Sequence, residues 1–291
     1  MKKVVVLNNE NKICTETISE IICVKECHEF SLRTVFNGNE LYNIRHRELN
    51  VFPGCFLMIK EGTPYDRSVN SSLPVDTFSI FFSNRFLNSF HRGITSSDHV
   101  LLDEPFTIAD EIVPRFIETL YPLKGDMSFN LVHIRSLFQS AVCDDMLMNE
   151  YLFHCLLNFY RIYYREILAK SERLNVVKTG TRIELFRRLN NAKDYLISNY
   201  NKDIQLEDIC RNACLSETHL HRYFKQVFYC SPHQYLIKLR LSQARQMLKS
   251  SNFKIKEIVN FIGFDCMSSF IRLFKDRYGL TPGNYRLVTT A

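Results

Sequence analysis

Residues 206–251 read LEDICRNACLSETHLHRYFKQVFYCSPHQYLIKLRLSQARQMLKSS, residues 255–286 read IKEIVNFIGFDCMSSFIRLFKDRYGLTPGNYR, and the second stretch repeats the first. Leu206, Ile209 and Ala213 recur 49 positions later as Ile255, Ile258 and Ile262. Leu220, Phe224, Lys225, Phe228, Pro232 and Tyr235 recur 50 positions later as Phe270, Phe274, Lys275, Tyr278, Pro282 and Tyr285. The one-residue slip falls in the turn between the blocks, where insertions are tolerated. Two copies of one supersecondary unit account for the match.

Each copy predicts helix, tight turn, helix. In copy one, residues 206–213 form a short helix with Leu206, Ile209 and Ala213 on one face, Cys214-Leu215 turns the chain, and Ser216 caps a helix over 217–228. In copy two, residues 255–262 form the first helix, Gly263 supplies the turn, and Asp265 caps a helix over 266–278. Glycine reaches the positive φ of a tight turn without steric cost, so Cys214 at the matching place predicts a less sharp turn in copy one. Pro232 and Pro282 stand at first helical positions, where proline is harmless. A long helix over 232–249, with Tyr235, Leu236, Leu239, Ala244 and Leu248 for burial, sets the separation of the two units, and residues 182–199 supply a leading helix.

Charge follows the same division. Residues 182–291 hold 18 Lys+Arg against 9 Asp+Glu, a net +9, whereas the other 181 residues hold 19 against 22, a net −3. Positive charge concentrated on the repeat is what a phosphate-neutralising surface needs.

At 291 residues the chain predicts two domains, and 46% hydrophobic with 23% charged residues predicts globular ones. The ten cysteines form no CxxC pair or regular framework and read as reduced cytosolic thiols. The apolar run Val4–Leu7 stops at Asn8-Asn9-Glu10, too soon for a signal peptide, and reads as a strand. The stretch 151–164 is interrupted by Arg161 and too short to span a bilayer, so no membrane role follows. Residues 4–7, 18–24, 30–36, 55–59 and 78–82 read as strands, Asn37-Gly38 as a hairpin turn between Val35-Phe36 and Leu41-Tyr42, and Pro53-Gly54 and Gly62-Thr63-Pro64 as further turns. Short strands at this spacing predict a small barrel or sandwich. From about residue 110 the pattern turns helical, over 130–142 and 144–170. Tyr151, Leu152, Cys155, Leu156, Phe159, Ile162, Tyr163 and Ile167 form an apolar stripe that packs on its own β-domain, makes a dimer interface, or does both. The polar segment 171–180 reads as a linker.

The two repeated stretches resemble the AraC/XylS family signature over residues 182–286. The second copy is the more diagnostic, with Gly263-Phe264, Phe274-Lys275, Gly279, Thr281-Pro282 and Tyr285. The segment RELNVFPGCFLMIKEGTPY, residues 47–65, resembles that family's cupin-like domain. The resemblance implies an α+β protein: a cupin-like β-barrel with a helical dimerisation segment over 1–171, a linker over 172–181, and an all-α tandem helix-turn-helix domain over 182–291. It implies a cytoplasmic transcription regulator, most often an activator, that lays two recognition helices into successive major grooves. Double-stranded promoter DNA, RNA polymerase, a second copy of the chain and a small-molecule effector are the implied partners, with no cofactor and no enzymatic role.

Recognition helices read bases through outward side chains near the helix N-terminus. In copy one Leu220, Tyr223 and Phe224 turn inward, which leaves Thr218, His221 and Arg222 for base contacts, the same three that the family pattern selects. In copy two Phe270 and Phe274 turn inward, leaving Met267, Ser268, Ile271 and Arg272. Lys225, Arg240, Arg245 and Lys275 suit phosphate contacts. In the β-rich region Arg33, Arg45, Arg47 and Tyr42 are candidates for an effector, against the plainer reading of exposed charge. Tyr65 stands where a histidine often follows the proline in metal-binding cupins, and His28 and His46 lack a visible partner set, so no metal is expected. Rival readings are a zinc site from Cys210, Cys214, His219 and His221, which lacks a second cysteine pair, and a hydrolase, which lacks a nucleophile motif. A regulator controlled by a protein partner or by abundance stays open beside ligand sensing.

Overall fold

Strand β7 (Tyr65–Phe81), seventeen residues long, organises the first half of the chain. The computed structural model describes residues 2–8, 10–27, 29–95, 116–139 and 144–290, which divide into two units, Met1–Ala169 and Lys170–Ala291. In the first unit β1 (Lys2–Val6) folds back on β2 (Lys12–Glu26), and β2 pairs antiparallel along one edge of β7 from Lys12↔Phe81 to Glu26↔Tyr65. Along the other edge run β3 (Ser31–Asn37), paired with residues 76–81, and then β4 (Glu40–Ile44), paired with residues 65–68. β5 (Arg47–Val51) pairs with β4, β6 (Cys55–Ile59) with β3, and β8 (Leu120–Pro122) with β6. The path β1-β2-β7-β3-β6-β8 is antiparallel and open among the described strands.

Two expectations change here. Asn37-Gly38 is not a hairpin turn, because β3 and β4 run in the same direction along the same neighbour and the chain passes straight on. Gly38, at φ +77°, is needed for another reason: a Cβ there would meet Val75 Cγ2 at 2.6 Å. The hairpin comes next, between β4 and β5, where Arg45 and His46 both take positive φ (51° and 64°), as a type I′ turn requires. Neither is glycine or asparagine, so the composition of that loop does not mark it. The expected strands at 18–24 and 78–82 are parts of 15- and 17-residue strands, whose polar middle sections conceal their length.

Helices α1 (Asn84–Thr95), α2 (Gly125–Gln139) and α3 (Asp145–Arg161) complete this unit, with a π-helical stretch Ile162–Leu168 after α3. Asp144 caps α3, its Oδ1 accepting from the Met146 and Leu147 N–H groups at 2.9 and 3.3 Å. The apolar stripe turns onto its own sheet: Phe159 lies 6.5 Å from the Phe56 ring, 5.3 Å from Tyr121 and 5.1 Å from Phe116. The start of the helical pattern near residue 110, the position of Val142 and the Ile167 side chain lie outside the described residues.

The second unit is all helical: α4 (Thr179–Ser198), α5 (Leu206–Ala213), α6 (Glu217–Phe228), α7 (Pro232–Ser250), α8 (Ile255–Phe261), α9 (Met267–Tyr278) and α10 (Pro282–Thr290). The sequence repeat is a structural repeat. In copy one Phe224, Phe228 and Tyr235 form a three-ring cluster with centroids 4.4, 5.7 and 5.8 Å apart. In copy two Phe274, Tyr278 and Tyr285 form its twin at 4.6, 5.5 and 6.0 Å. Proline begins both α7 and α10. Ser231 caps α7 in a capping box, its Oγ accepting from the Gln234 N–H while Gln234 Oε1 accepts from the Ser231 N–H.

The turns match as well, which corrects the expectation of a gentler bend in copy one. Cys214 sits at φ 50° and ψ 45°, and Gly263 at φ 74°. Each donates its N–H to the carbonyl three residues back (Arg211 and Asn260), and the following residue donates five residues back (Leu215 to Cys210, Phe264 to Val259). This is the Schellman pattern, which needs a left-handed residue. The ends of α6 and α9 repeat the contrast, with Tyr229 at φ 57° and Gly279 at φ 77°. Cys266, not Asp265, is the residue capping α9. Gly263 is doubly constrained, since a Cβ would also lie 2.8 Å from the Asn201 backbone.

A non-glycine residue in the left-handed region costs about 1 kcal/mol or more. Cys214→Gly is therefore expected to stabilise the helical unit by roughly 1 kcal/mol. Gly263→Ala is expected to destabilise it by more than that, and urea unfolding followed by far-ultraviolet circular dichroism checks both signs.

Candidate nucleic-acid interface

Helices α6 and α9 each bury one face and expose the other. On α6, Leu220, Phe224 and Val227 are fully buried. Thr218, His219, Arg222 and Lys225 are exposed, and His221 is half-buried. On α9, Phe270 and Phe274 are fully buried, whereas Ser268, Ile271, Arg272 and Lys275 are exposed. The repeat offset of 50 therefore places hydroxyl, arginine and lysine at the same outward positions of both helices: Thr218 with Ser268, Arg222 with Arg272, Lys225 with Lys275. His221 and Ile271 share the fourth position and differ in chemistry.

Three side chains are not placed as expected. Met267 is half-buried and packs against the core of Leu241, Ala244, Leu248, Ile258, Phe270 and Phe274. A long apolar side chain in the first helical turn leans toward the helix N-terminus and is drawn onto that core. Arg240 is half-buried, donating from Nε to the Tyr200 carbonyl at 2.7 Å and from Nη2 to the Lys202 carbonyl at 2.8 Å, which ties the loop after α4 to α7. Burial lowers its pKa. Tyr223, expected inward, is half-buried with its ring beneath the Arg222 guanidinium at 4.3 Å, and Arg222 donates to its hydroxyl. Arg245 is exposed, 5.4 Å from the Tyr278 ring centroid.

Cys266 is exposed at the head of α9, with its Sγ 3.0 Å from Ser268 Oγ. Hydrogen bonding to the Ser268 hydroxyl, then to the Ser269 backbone, lowers this thiol to about 6. Among the described residues, no group of three or more His, Cys, Asp or Glu could hold a metal ion, so Cys210, Cys214, His219 and His221 do not assemble a zinc site. The described cysteines are all free.

The first unit contains a second notable set of polar groups. Arg33 is 2% exposed, donates to Ser79 Oγ at 3.0 Å and to the Tyr65 hydroxyl at 2.6 Å, and lies over the Phe81 ring at 4.3 Å. Tyr42, also buried, donates to Glu40 Oε2 at 2.9 Å. Glu40 faces Arg67 at 3.5 Å, and Arg67 in turn donates to Glu16. Burial raises the Glu40 carboxyl above its ordinary range. The exposed-charge reading thus fails for Arg33 and Tyr42. Arg45 is exposed in the β4–β5 turn, and Arg47 donates to the Glu118 carbonyl at 2.9 Å. His46 is in the same turn, and His28 lies outside the described residues.

A helix-turn-helix domain family matches residues 209–287. The raffinose operon transcriptional regulatory protein RafR of Pediococcus pentosaceus is 30% identical over 156 residues, covering 53% of this chain and 53% of that protein. The lactose operon transcription activator of Staphylococcus xylosus is 20% identical over 256 residues, 88% of this chain and 82% of that protein. The helical unit carries a helix-turn-helix domain of the AraC type, and the chain is similar to proteins named as transcription regulators and activators. The chain spans about half the length of the Pediococcus relative. A regulator from Chromobacterium violaceum described as containing an AraC-type DNA-binding domain shares 26% identity over 38% of this chain and 95% of that one, with a TM-score of 0.34. Among the described residues, no helix is long and apolar enough to cross a membrane.

The sequence alone does not mark Tyr223, Arg67, Glu40 and Glu16: the aromaticity of Tyr223 predicts a core position, and the three charged residues lie in polar stretches where nothing marks them for burial. Cys266 reads from the sequence only as a helical residue. Its exposed thiolate gives a direct check. Iodoacetamide labelling of the intact protein, quantified by mass spectrometry across pH, is expected to reach half its maximal rate at Cys266 near pH 6. An ordinary thiol responds near about 8.5. Ser268→Ala is expected to move the Cys266 midpoint upward.

Proposed function

We propose that the chain binds double-stranded promoter DNA with sequence specificity, laying α6 and α9 into successive major grooves of one DNA face, and activates transcription in the cytoplasm through RNA polymerase. The observation that carries this reading is the repetition of one outward side-chain pattern on two helices of a duplicated fold. Helix α7, with 19 residues, is about 28 Å long. That is commensurate with the spacing of about 34 Å between successive major grooves. In this reading Arg222 and Arg272 each pair bidentately with a guanine, worth roughly 1–3 kcal/mol of discrimination. Thr218 and Ile271 meet thymine methyls, and His221 and Ser268 hydrogen-bond to base edges. Met267 contributes only its exposed rim. Lys225, Lys275 and Arg245 neutralise phosphate, while Arg240 serves the fold.

For residues 1–171 we propose a cupin-like sensing and dimerisation domain, followed by a connecting segment over 172–181 and the DNA-binding domain over 182–291. Two relatives are named for raffinose and lactose operons, which makes a saccharide the effector class of choice. The buried donors and acceptors of Arg33, Tyr65, Tyr42, Glu40 and Arg67 suit such a polyhydroxyl ligand. Control by a protein partner is the second reading, favoured by the hydrogen bonds and ion pairs that these groups make with one another.

Arg222→Ala and Arg272→Ala are each expected to weaken binding to the cognate site about tenfold to a hundredfold with the fold intact. Lys225→Ala is expected to reduce the dependence of log affinity on log salt by about one. Footprinting on genomic sites occupied by the protein measures all three, and wild-type footprints from both arginine variants would overturn the assignment. A saccharide effector is expected to raise the melting transition of the intact protein in a screen of mono- and oligosaccharides. A partner-controlled regulator would show no shift.

A further inference from the structure

The last carbonyls of a helix have no partner within it, so whatever satisfies them also fixes where the helix end lies. At the end of α6 the Val227 carbonyl accepts a hydrogen bond from Arg173 Nη1 at 2.9 Å. The same guanidinium lies over the ring of Tyr229 at 4.4 Å. Beside it the Asn175 N–H points to Gln226 Oε1 at 3.5 Å. Leu174, the next residue after Arg173, is 2% exposed. Backbone bonds from Leu174 to Ser171 (3.1 Å) and from Val176 to Leu174 (2.8 Å) hold the segment in a compact turn. Residues 171–176 therefore belong to the helical unit as a fitted piece, although their composition reads as a linker.

The two copies close their turns differently. Copy two closes its two tight turns with Gly263 and Gly279, which accept a left-handed backbone freely. Copy one uses Cys214 and Tyr229, and both are attended by arginines from the chain preceding the repeat. Arg188 Nη1 donates to the Cys214 carbonyl at 3.1 Å, and Arg173 covers Tyr229. A cation at a helix C-terminus, hydrogen-bonded to its carbonyl and stacked on the capping ring, is favourable on three counts.

We infer that residues 171–176 brace the first recognition helix, and that Arg173 is a positioning residue for base reading by α6. It acts on Thr218, His221 and Arg222 by fixing the opposite end of their helix and does not itself touch DNA. The inference rests on the DNA-binding reading above and names a determinant of that same interface.

The test uses the full chain with Arg173→Ala, Arg173→Lys and Leu174→Ala. Hydrogen exchange without DNA is expected to quicken about fivefold at the last-turn amides of α6 in Arg173→Ala. On a cognate site, Arg173→Ala is expected to lose about fivefold in affinity, with protection lost over the half-site read by α6 and kept over the one read by α9. The salt dependence should not change, and Arg173→Lys should recover part of the loss. Leu174→Ala is expected to resemble Arg173→Ala. Unchanged exchange, or wild-type protection of both half-sites, overturns the brace. A salt dependence reduced by about one also overturns it, making Arg173 a phosphate contact. If the wild-type chain gives no sequence-specific footprint, the DNA-binding reading falls, and the exchange result still judges the brace.

Discussion

The outward faces of α6 and α9 depend on two sets of three aromatic rings. Phe224, Phe228 and Tyr235 in copy one, and Phe274, Tyr278 and Tyr285 in copy two, bind each outward helix to the helix that follows it. Because an α-helix repeats every 3.6 residues, burying positions 220, 224 and 227 dictates that 218, 222 and 225 face away. The exposed arginines are where they are because the phenylalanines have no alternative. The outward side chains take no part in the cluster that keeps each helix in place.

The two copies reach one backbone by different means. Glycine makes the turns of copy two self-sufficient. Copy one holds Cys214 and Tyr229 in conformations that disfavour them and relies on neighbouring arginines. A repeat whose halves differ in this way has one half that folds on local preference and one whose geometry is coupled to the chain leading into it. That coupling gives the segment 171–176 a structural identity despite its linker-like composition.

The first unit follows a different logic. Its sheet interior carries a chain of charged and hydroxyl groups from Ser79 through Arg33 and Tyr65, and from Tyr42 through Glu40 and Arg67 to Glu16. Buried ion pairs add little net stability compared with apolar packing, but removing one partner is strongly destabilising. Such a network therefore specifies which strands meet in which register, here joining β2, β3, β4 and β7, more than it strengthens the fold.

The amino-acid sequence alone determined the duplicated helical unit, with α5 and α6 read to the residue, and the outward arginine of each copy. These follow from helical periodicity and turn chemistry within a dozen residues, which is local information. It also marked β6 and the Pro53-Gly54 turn. Only the tertiary structure decided that Asn37-Gly38 leads onward along β7, that Arg45-His46 makes the hairpin, and that Arg33 and Tyr42 are interior. It likewise placed Met267 on the core, Arg240 on the Tyr200 carbonyl and Arg173 on the end of α6. In each of these cases the decisive partner lies tens of residues away, and no local periodicity encodes which distant backbone or ring a long side chain will meet.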